Sequence, residues 1–119
     1  MKSDAITADA LNAAQQTSTS ADGSDNSSLA ITIAAVEDET WVVRDIWHSF
    51  DDTPSVSPKP SITITSGGNT IYQNFAPISR ELHLHFPSGI HRATKNEAVV
   101  ITIAAAGSGI SARMTVGYM

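Results

Sequence analysis

The sequence contains no cysteine, so it can form no disulfide, offers no thiolate to a metal and has no cysteine nucleophile. Its apolar runs are far shorter than the roughly 18 residues of a membrane-spanning helix, and we predict no membrane partner. No apolar segment follows Met1, so no signal peptide is expected either. A chain of 119 residues predicts one domain with a modest core.

Charge is also scarce, because only 16% of the residues are charged. The formal net charge of −5 argues against a general nucleic-acid binder, which needs a basic surface. None of the glycine-rich phosphate-binding motifs occurs, and we predict no cofactor. A mean hydropathy of −0.06 with 41% hydrophobic residues is typical of a soluble globular protein.

The clearest positive signal lies at the end of the sequence. Two apolar runs, Ala98–Ala106 and Ile110–Tyr118, flank Gly107-Ser108-Gly109, and in both runs large apolar residues alternate with smaller or polar ones. A period of two is the pattern of a strand with one face on a core. Two such runs with a short glycine-rich link predict an antiparallel hairpin.

Five more segments favour strands, at 28–33, 41–50, 61–65, 70–75 and 81–86, with a second hairpin around Ser66-Gly-Gly-Asn69. Helical periodicity is absent after residue 28, so the prediction is an all-β, antiparallel β-sandwich or jelly roll of seven or eight strands over 28–119. The phrase Ile-Thr-Ile-Ala-Ala occurs at 31–35 and 101–105 and indicates two similar core strands. The predicted core residues are Leu29, Ile31, Ile33, Ile62, Ile64, Leu82, Leu84, Phe86, Val99, Ile101, Ile103, Met114 and Val116.

Residues 1–27 differ in character from the rest, being small and polar with four acids and one base. Ala8–Gln16 has fair helix propensity, and Thr17–Ser28 has the composition of a flexible linker. A disordered tail is one interpretation. The other is an extended arm that binds a partner through Ile6 and Leu11, in which case a chain starting at Ser28 should keep the stability of the body.

The segment Trp41–Phe50 carries large apolar groups on both faces of the predicted strand. A β-bulge could switch faces midway. Alternatively, one face is a contact surface, because exposed aromatic patches commonly mark interfaces. On that second interpretation Trp41, Val43 and Trp47 form an oligomer interface.

Two histidines, His83 and His85, lie two residues apart on a predicted strand and therefore share a face. Two imidazoles could bind a metal, but a zinc site needs further ligands and the sequence places none beside them. A solvated or interface face is favoured, so no metal site is predicted and the role of the pair stays open.

The residue types of a hydrolytic triad occur at Asp45, His48 and Ser49. Asp45 and His48 point to opposite faces of one strand, so they cannot orient each other there. Gly107-Ser108-Gly109 lacks the wider Gly-x-Ser-x-Gly pattern. We therefore predict no catalytic residues and no enzyme.

Several stretches resemble small all-β proteins of tailed-phage particles. They are Ser49-Phe50-Asp51 with Pro54, Ser61-Ile-Thr-Ile before a Gly-Gly hairpin, His85-Phe86-Pro87-Ser88, and Asn96–Gly109. The resemblance covers about residues 29–118, and proteins of this type are similar in having a polar N-terminal arm and a sandwich body.

The resemblance implies a virion structural protein, of the kind that decorates and cements a capsid, commonly as a homotrimer. It would be made in the host cytoplasm and lie on the particle surface, with the major capsid protein as partner. The alternative is a fibre or tail module that recognises a host glycan or receptor through loops such as Asp51–Pro60 or Pro87–Asn96. The resemblance supplies no catalytic residues.

Overall fold

A computed structural model describes residues 17–54, 60–75, 81–90 and 95–119. None of these residues belongs to a helix long and apolar enough to cross a membrane. They form eight strands: β1 (Thr17–Asp22), β2 (Leu29–Ile33), β3 (Val43–Phe50), β4 (Ser61–Ser66), β5 (Asn69–Phe75), β6 (Glu81–Ile90), β7 (Val99–Ile103) and β8 (Ala112–Tyr118). Sheet A has the order β1-β8-β3-β6 and sheet B the order β2-β7-β4-β5, with antiparallel neighbours throughout. The predicted all-β antiparallel sandwich is confirmed.

The core lies between the two sheets and follows from period-two patterning. In β2, β4 and β7 every second side chain is buried, while the side chains between them are partly or fully exposed. Burying one such aliphatic side chain stabilises the fold by about 1.5–3 kcal/mol. Most of the predicted core residues are buried, namely Leu29, Ile31, Ile33, Ile62, Ile64, Val99, Ile101, Ile103, Met114 and Val116. Leu82, Leu84 and Phe86 on the edge strand β6 are only partly buried.

The repeated phrase lies on two strands that pair directly. Strands β2 and β7 are antiparallel neighbours in sheet B, and Ile31 lies opposite Ile101. Two copies of one alternating pattern therefore place their isoleucines on the same inner face. The interpretation of the repeat as two similar core strands is confirmed.

The hairpin around Gly67-Gly68 is also confirmed. Strands β4 and β5 pair across this turn, and the φ angles of the two glycines are 57° and 79°. A two-residue turn of type I′ requires positive φ at both central positions, which glycine adopts without strain.

The predicted C-terminal hairpin is wrong, because β7 and β8 belong to different sheets. The link between Ile103 and Ala112 is long enough to cross the roughly 10 Å between packed sheets. Within it, Gly107 and Gly109 have φ angles of 125° and 80°. Both runs have one fully apolar face, and these faces meet across the core instead of lying side by side.

The first strand is an element that the composition did not indicate. The sequence predicted a flexible linker at Thr17–Ser28, but the first six of these residues form β1, which pairs with β8 along its whole length. Beyond the strand, the Gly23 amide donates to the Ala112 carbonyl at 2.7 Å. Ala21 packs against the core, while the other side chains of β1 are exposed. Backbone pairing therefore holds this segment, and backbone pairing leaves little trace in composition.

A β-bulge near the start of β3 settles which way its side chains point. The pairing register with β6 and β8 shifts between Val43 and Asp45, so that Arg44 is the extra residue relative to β8. After the shift the inner face carries Ile46, His48 and Phe50. Asp45 and Trp47 face outward. The prediction of a β-bulge that switches faces is confirmed. The prediction that Trp41, Val43 and Trp47 share one face of the strand is wrong.

A histidine occupies the core face of β3. His48 is buried beside Phe50, at 5.4 Å between ring centroids, and neither ring nitrogen has a hydrogen-bond partner among the described residues. Desolvation by this burial lowers the pKa of His48 below its usual 6.5. The imidazole therefore packs as a neutral group.

We expect His48 to make the fold less stable in acid. Because its pKa is lower in the folded chain than in the unfolded chain, the unfolded chain binds the proton first as the pH falls below about 6.5. Stability then falls with pH, by at most about 1.4 kcal/mol per unit for one proton, until the folded-state pKa is reached. Urea unfolding of wild type and His48→Gln between about pH 5 and 8 measures this. Equal pH slopes for the two proteins would contradict the assignment.

Candidate functional site

The side of sheet A turned away from sheet B, which we call the outer face, carries an ordered set of polar and aromatic side chains. Strand register places them in two rows across all four strands: Ser20, Thr115, Trp47 and His83 in one, and Ser18, Gly117, Asp45 and His85 in the other. The Ser20 and Thr115 hydroxyls are hydrogen-bonded at 2.7 Å. Cross-strand neighbours of this kind interact directly, so register decides which groups meet.

Three of these residues, Asp45, His83 and His85, form what we call the Asp45 cluster. Asp45 Oδ1 lies 2.8 Å from His83 Nε2 and 2.7 Å from His85 Nδ1. The Asp45 side chain is only 11% exposed, whereas the imidazole side chains are 45% and 49% exposed. A carboxylate with this little solvent needs partners, and two rings converge on one of its oxygens.

Trp47 holds one of these rings in place. Its indole stacks on the His83 imidazole with 4.7 Å between centroids and 11° between planes. Stacked aromatic pairs contribute about 0.5–1.5 kcal/mol beyond area burial. Trp47 is still 38% exposed, so it presents apolar surface beside a positioned imidazole.

An ion pair lies at the β1 side of the outer face. Arg113 donates from Nε and from an Nη to the two carboxylate oxygens of Asp22, at 2.6 and 3.2 Å. The hydrogen bond and the charge of Asp22 raise the pKa of the Arg113 guanidinium. This forked pair connects β1 to β8.

A shallow hollow of about 400 Å³ opens between Trp47 and Arg113, with Ser49, His83 and Thr115 also lining it. An aromatic ring beside hydroxyl, imidazole and guanidinium groups is a mixture that ligand sites use. The hollow and the Asp45 cluster share His83.

Of the residues predicted to contact partners, Val43 and Trp47 do not lie on one surface. Ile6 and Leu11 lie outside the described residues. Val43 is 1% exposed and belongs to the core, whereas Trp47 lies on the outer face. Trp41 is partly buried against the core. An interface at Trp47 stays a prediction, without Val43 as a member of the same surface.

Trp41 has a structural environment of its own. Its indole nitrogen donates to the Ala34 carbonyl at 2.9 Å, and its ring meets Tyr118 edge to face at 5.3 Å. These contacts tie the loop before β3 to the end of β8. Trp41 therefore has partners within the chain.

The triad residue types remain apart. His48 is buried in the core, and Asp45 faces outward beneath two other histidines. Ser49, the third of these types, lies on β3 opposite Arg113. Ser108 lies in an exposed turn between β7 and β8. The predicted opposition of Asp45 and His48 across β3 is confirmed.

Sequence reasoning did not find that Asp45 lies beside His83 and His85 and completes a cluster of three. Asp45 lies 38 and 40 positions from His83 and His85. Alternation along β3 could indicate that Asp45 faces outward with Trp47. Only the pairing of β3 with β6, and its register beyond the bulge, places the carboxylate between the rings.

Comparison with known proteins identifies similar folds but no sequence relatives. No protein-family model matches the chain, and no curated protein sequence matches it. The structure is similar to one from the acid-stable capsid of Helicobacter pylori bacteriophage KHP30, with a TM-score of 0.50, 11% identity and coverage of 87% of this chain and 86% of that one. It is also similar to one from the cyanophage Pam1 capsid asymmetric unit, with a TM-score of 0.42, 19% identity and coverage of 87% and 84%.

A third similar structure comes from a different class of protein. It is the CBM36-1 domain of a multidomain xylanase from the hindgut metagenome of Trinervitermes trinervoides, with a TM-score of 0.45, 11% identity and coverage of 80% and 71%. At these identities the likeness concerns the fold. The KHP30 capsid structure agrees, at the level of fold, with the predicted resemblance to small phage virion β-sandwich proteins.

Proposed function

We propose that the chain is a structural protein of a bacteriophage virion, and specifically a decoration or cement protein that binds the outer capsid surface and stabilises it. The observation that carries the proposal is the similarity to a phage capsid structure over 86–87% of both chains. The resemblance of about residues 29–118 to small tailed-phage proteins points the same way. In this role the partner is the major capsid protein, and the protein is located on the particle surface after synthesis in the host cytoplasm.

The mode of β1 binding suggests how the arm attaches. Residues 17–22 are polar and largely exposed, and they hold to β8 by backbone pairing in a six-residue register. Residues 1–16 are mostly small or polar, with Met1, Ile6 and Leu11 as the larger apolar residues. An extended segment of this kind can add a strand to a sheet edge of a neighbouring subunit.

In the proposed role the β-sandwich body contributes self-association. Its outer face presents Trp47 within a polar surface, and burying this ring against a second copy removes apolar area from water at about 25 cal/mol per Å² before association costs. We propose that copies associate through this face as a homotrimer when the protein is on the capsid.

Virions from a lysate of the strain that encodes the chain provide the test. Particles banded in a density gradient should contain the protein at a fixed ratio to the major capsid protein, measured by quantitative mass spectrometry. Immunogold particles should be distributed over the head. Protein that stays at the top of the gradient would contradict a virion role.

A recognition module is the second candidate, favoured by the hollow beside Trp47 and Arg113. Its aromatic and hydrogen-bonding lining could accept a sugar ring of a host glycan. This candidate predicts gold labelling confined to the tail or its fibres, and glycan binding by the purified protein without any capsid. The decoration role predicts neither result.

A further inference from the structure

We propose that the Asp45 cluster binds a divalent transition-metal ion, best matched by Zn²⁺, through Asp45 Oδ1, His83 Nε2 and His85 Nδ1. The three candidate ligand atoms lie within 4.8 Å of one another. They come from two strands whose register is set by the fold, and all three side chains are on the outer face. This site does not depend on the virion role.

The distances are close to those of a zinc site. With metal–ligand bonds of about 2.0 Å, tetrahedral ligand atoms lie roughly 3.3 Å apart. The two nitrogen–oxygen distances in the cluster are 2.8 and 2.7 Å. An entering ion would widen each of these by roughly half an ångström. Half-exposed imidazoles can make that adjustment by small side-chain rotations.

The ligand types select the class of ion. Imidazole nitrogen with carboxylate oxygen suits Zn²⁺ and neighbouring transition metals, whereas Ca²⁺ takes six to eight oxygens. Three protein ligands leave one position of a tetrahedron for water or for a donor from another molecule.

The surroundings support ligand orientation. Trp47 stacks on the His83 ring and limits its rotation, as outer groups commonly do for metal-binding histidines. His83 and His85 lie on β6, which pairs with β3 at the edge of sheet A as far as the described strands extend. A bound ion would therefore link this edge strand to the centre of the sheet.

The test uses the full chain without a histidine tag, stripped of metal by a chelator. Isothermal titration with Zn²⁺ should show one site per chain, and Zn²⁺ should raise the melting temperature. Asp45→Asn and the double variant His83→Gln/His85→Gln should weaken binding about 100-fold or more, because even loss of an outer partner costs roughly 10–100-fold. Asp22→Asn removes another outer-face carboxylate and should leave binding unchanged.

Spectroscopic measurements distinguish metal binding at the Asp45 cluster from metal binding elsewhere on the chain. Co²⁺ in place of Zn²⁺ should give the visible absorption of a tetrahedral site, and Cu²⁺ should quench the fluorescence of Trp47 in wild type but not in His83→Gln/His85→Gln. If Asp45→Asn fails to fold, as judged by circular dichroism, His85→Gln alone takes its place because that ring is half exposed. Absence of saturable binding, or binding that these variants leave unchanged, would overturn the proposal.

Discussion

A chain that begins at Thr17 should melt within a few degrees of the full-length protein, whereas one that begins at Ser28 should melt about 10 °C lower or more, contrary to the expectation from the sequence that it would keep its stability. The second truncation removes β1, which pairs with β8 over six residues and forms the Asp22–Arg113 ion pair. Backbone hydrogen bonds contribute a net of about 1 kcal/mol each. A loss of 1 kcal/mol lowers the melting temperature by roughly 4–8 °C in a domain of this size.

The two truncations also separate stability from attachment. Both lack Ile6 and Leu11, so under the proposed function both should fail to decorate particles that lack the native protein. Differential scanning calorimetry gives the stabilities, and co-sedimentation with such particles gives the occupancy. If the chain starting at Thr17 decorated particles fully, attachment would belong to the sandwich surface. If the chain starting at Ser28 melted like the full-length protein, β1 would add nothing to the fold.

Replacing Ile46 by alanine should destabilise the protein by about 2–5 kcal/mol, because this side chain is 0% exposed at the centre of sheet A and its loss leaves a cavity. The adjacent substitution, Trp47→Ala, should cost less, because Trp47 is 38% exposed and its removal leaves a surface hollow in place of a buried cavity. Its stack on His83 contributes about 0.5–1.5 kcal/mol beyond area burial. Urea unfolding of both variants measures the difference. Equal losses at the two positions would contradict the register that follows the bulge.

Substitutions at Ile46 and Trp47 also test whether copies of the protein associate through the outer face. In analytical ultracentrifugation, Trp47→Ala should reduce any oligomer that wild type forms. The milder core variant Ile46→Val should fold and leave that oligomer unchanged. A wild-type protein that stays monomeric at micromolar concentration would restrict association to the capsid surface. An oligomer insensitive to Trp47→Ala would place the contact elsewhere.

The sequence alone determined the fold class and most of the core. Alternation is a local property, because successive side chains in a strand point to opposite faces, and it identified the inner residues of β2, β4, β7 and β8. The turn at Gly67-Gly68 was equally readable, since two adjacent positive φ angles demand glycine-like residues.

Only the tertiary structure decided which strands are neighbours. Any strand can offer its backbone amides and carbonyls to any other, so pairing is not written in the local pattern. This is why Ala98–Ala106 and Ile110–Tyr118 face each other across the core although they resemble a hairpin. It is also why a polar segment at Thr17–Asp22 becomes a strand.

The candidate site likewise combines a local pattern, which the sequence shows, with a long-range strand pairing, which it does not. His83 and His85 could be seen to share a face, but their carboxylate partner comes from a strand about forty residues earlier. One extra residue at the Val43–Asp45 bulge turns Asp45 outward and Val43 inward, because side-chain direction has a period of two. Long-range register therefore brought together Asp45, His83 and His85, the one cluster of three candidate metal ligands among the described residues.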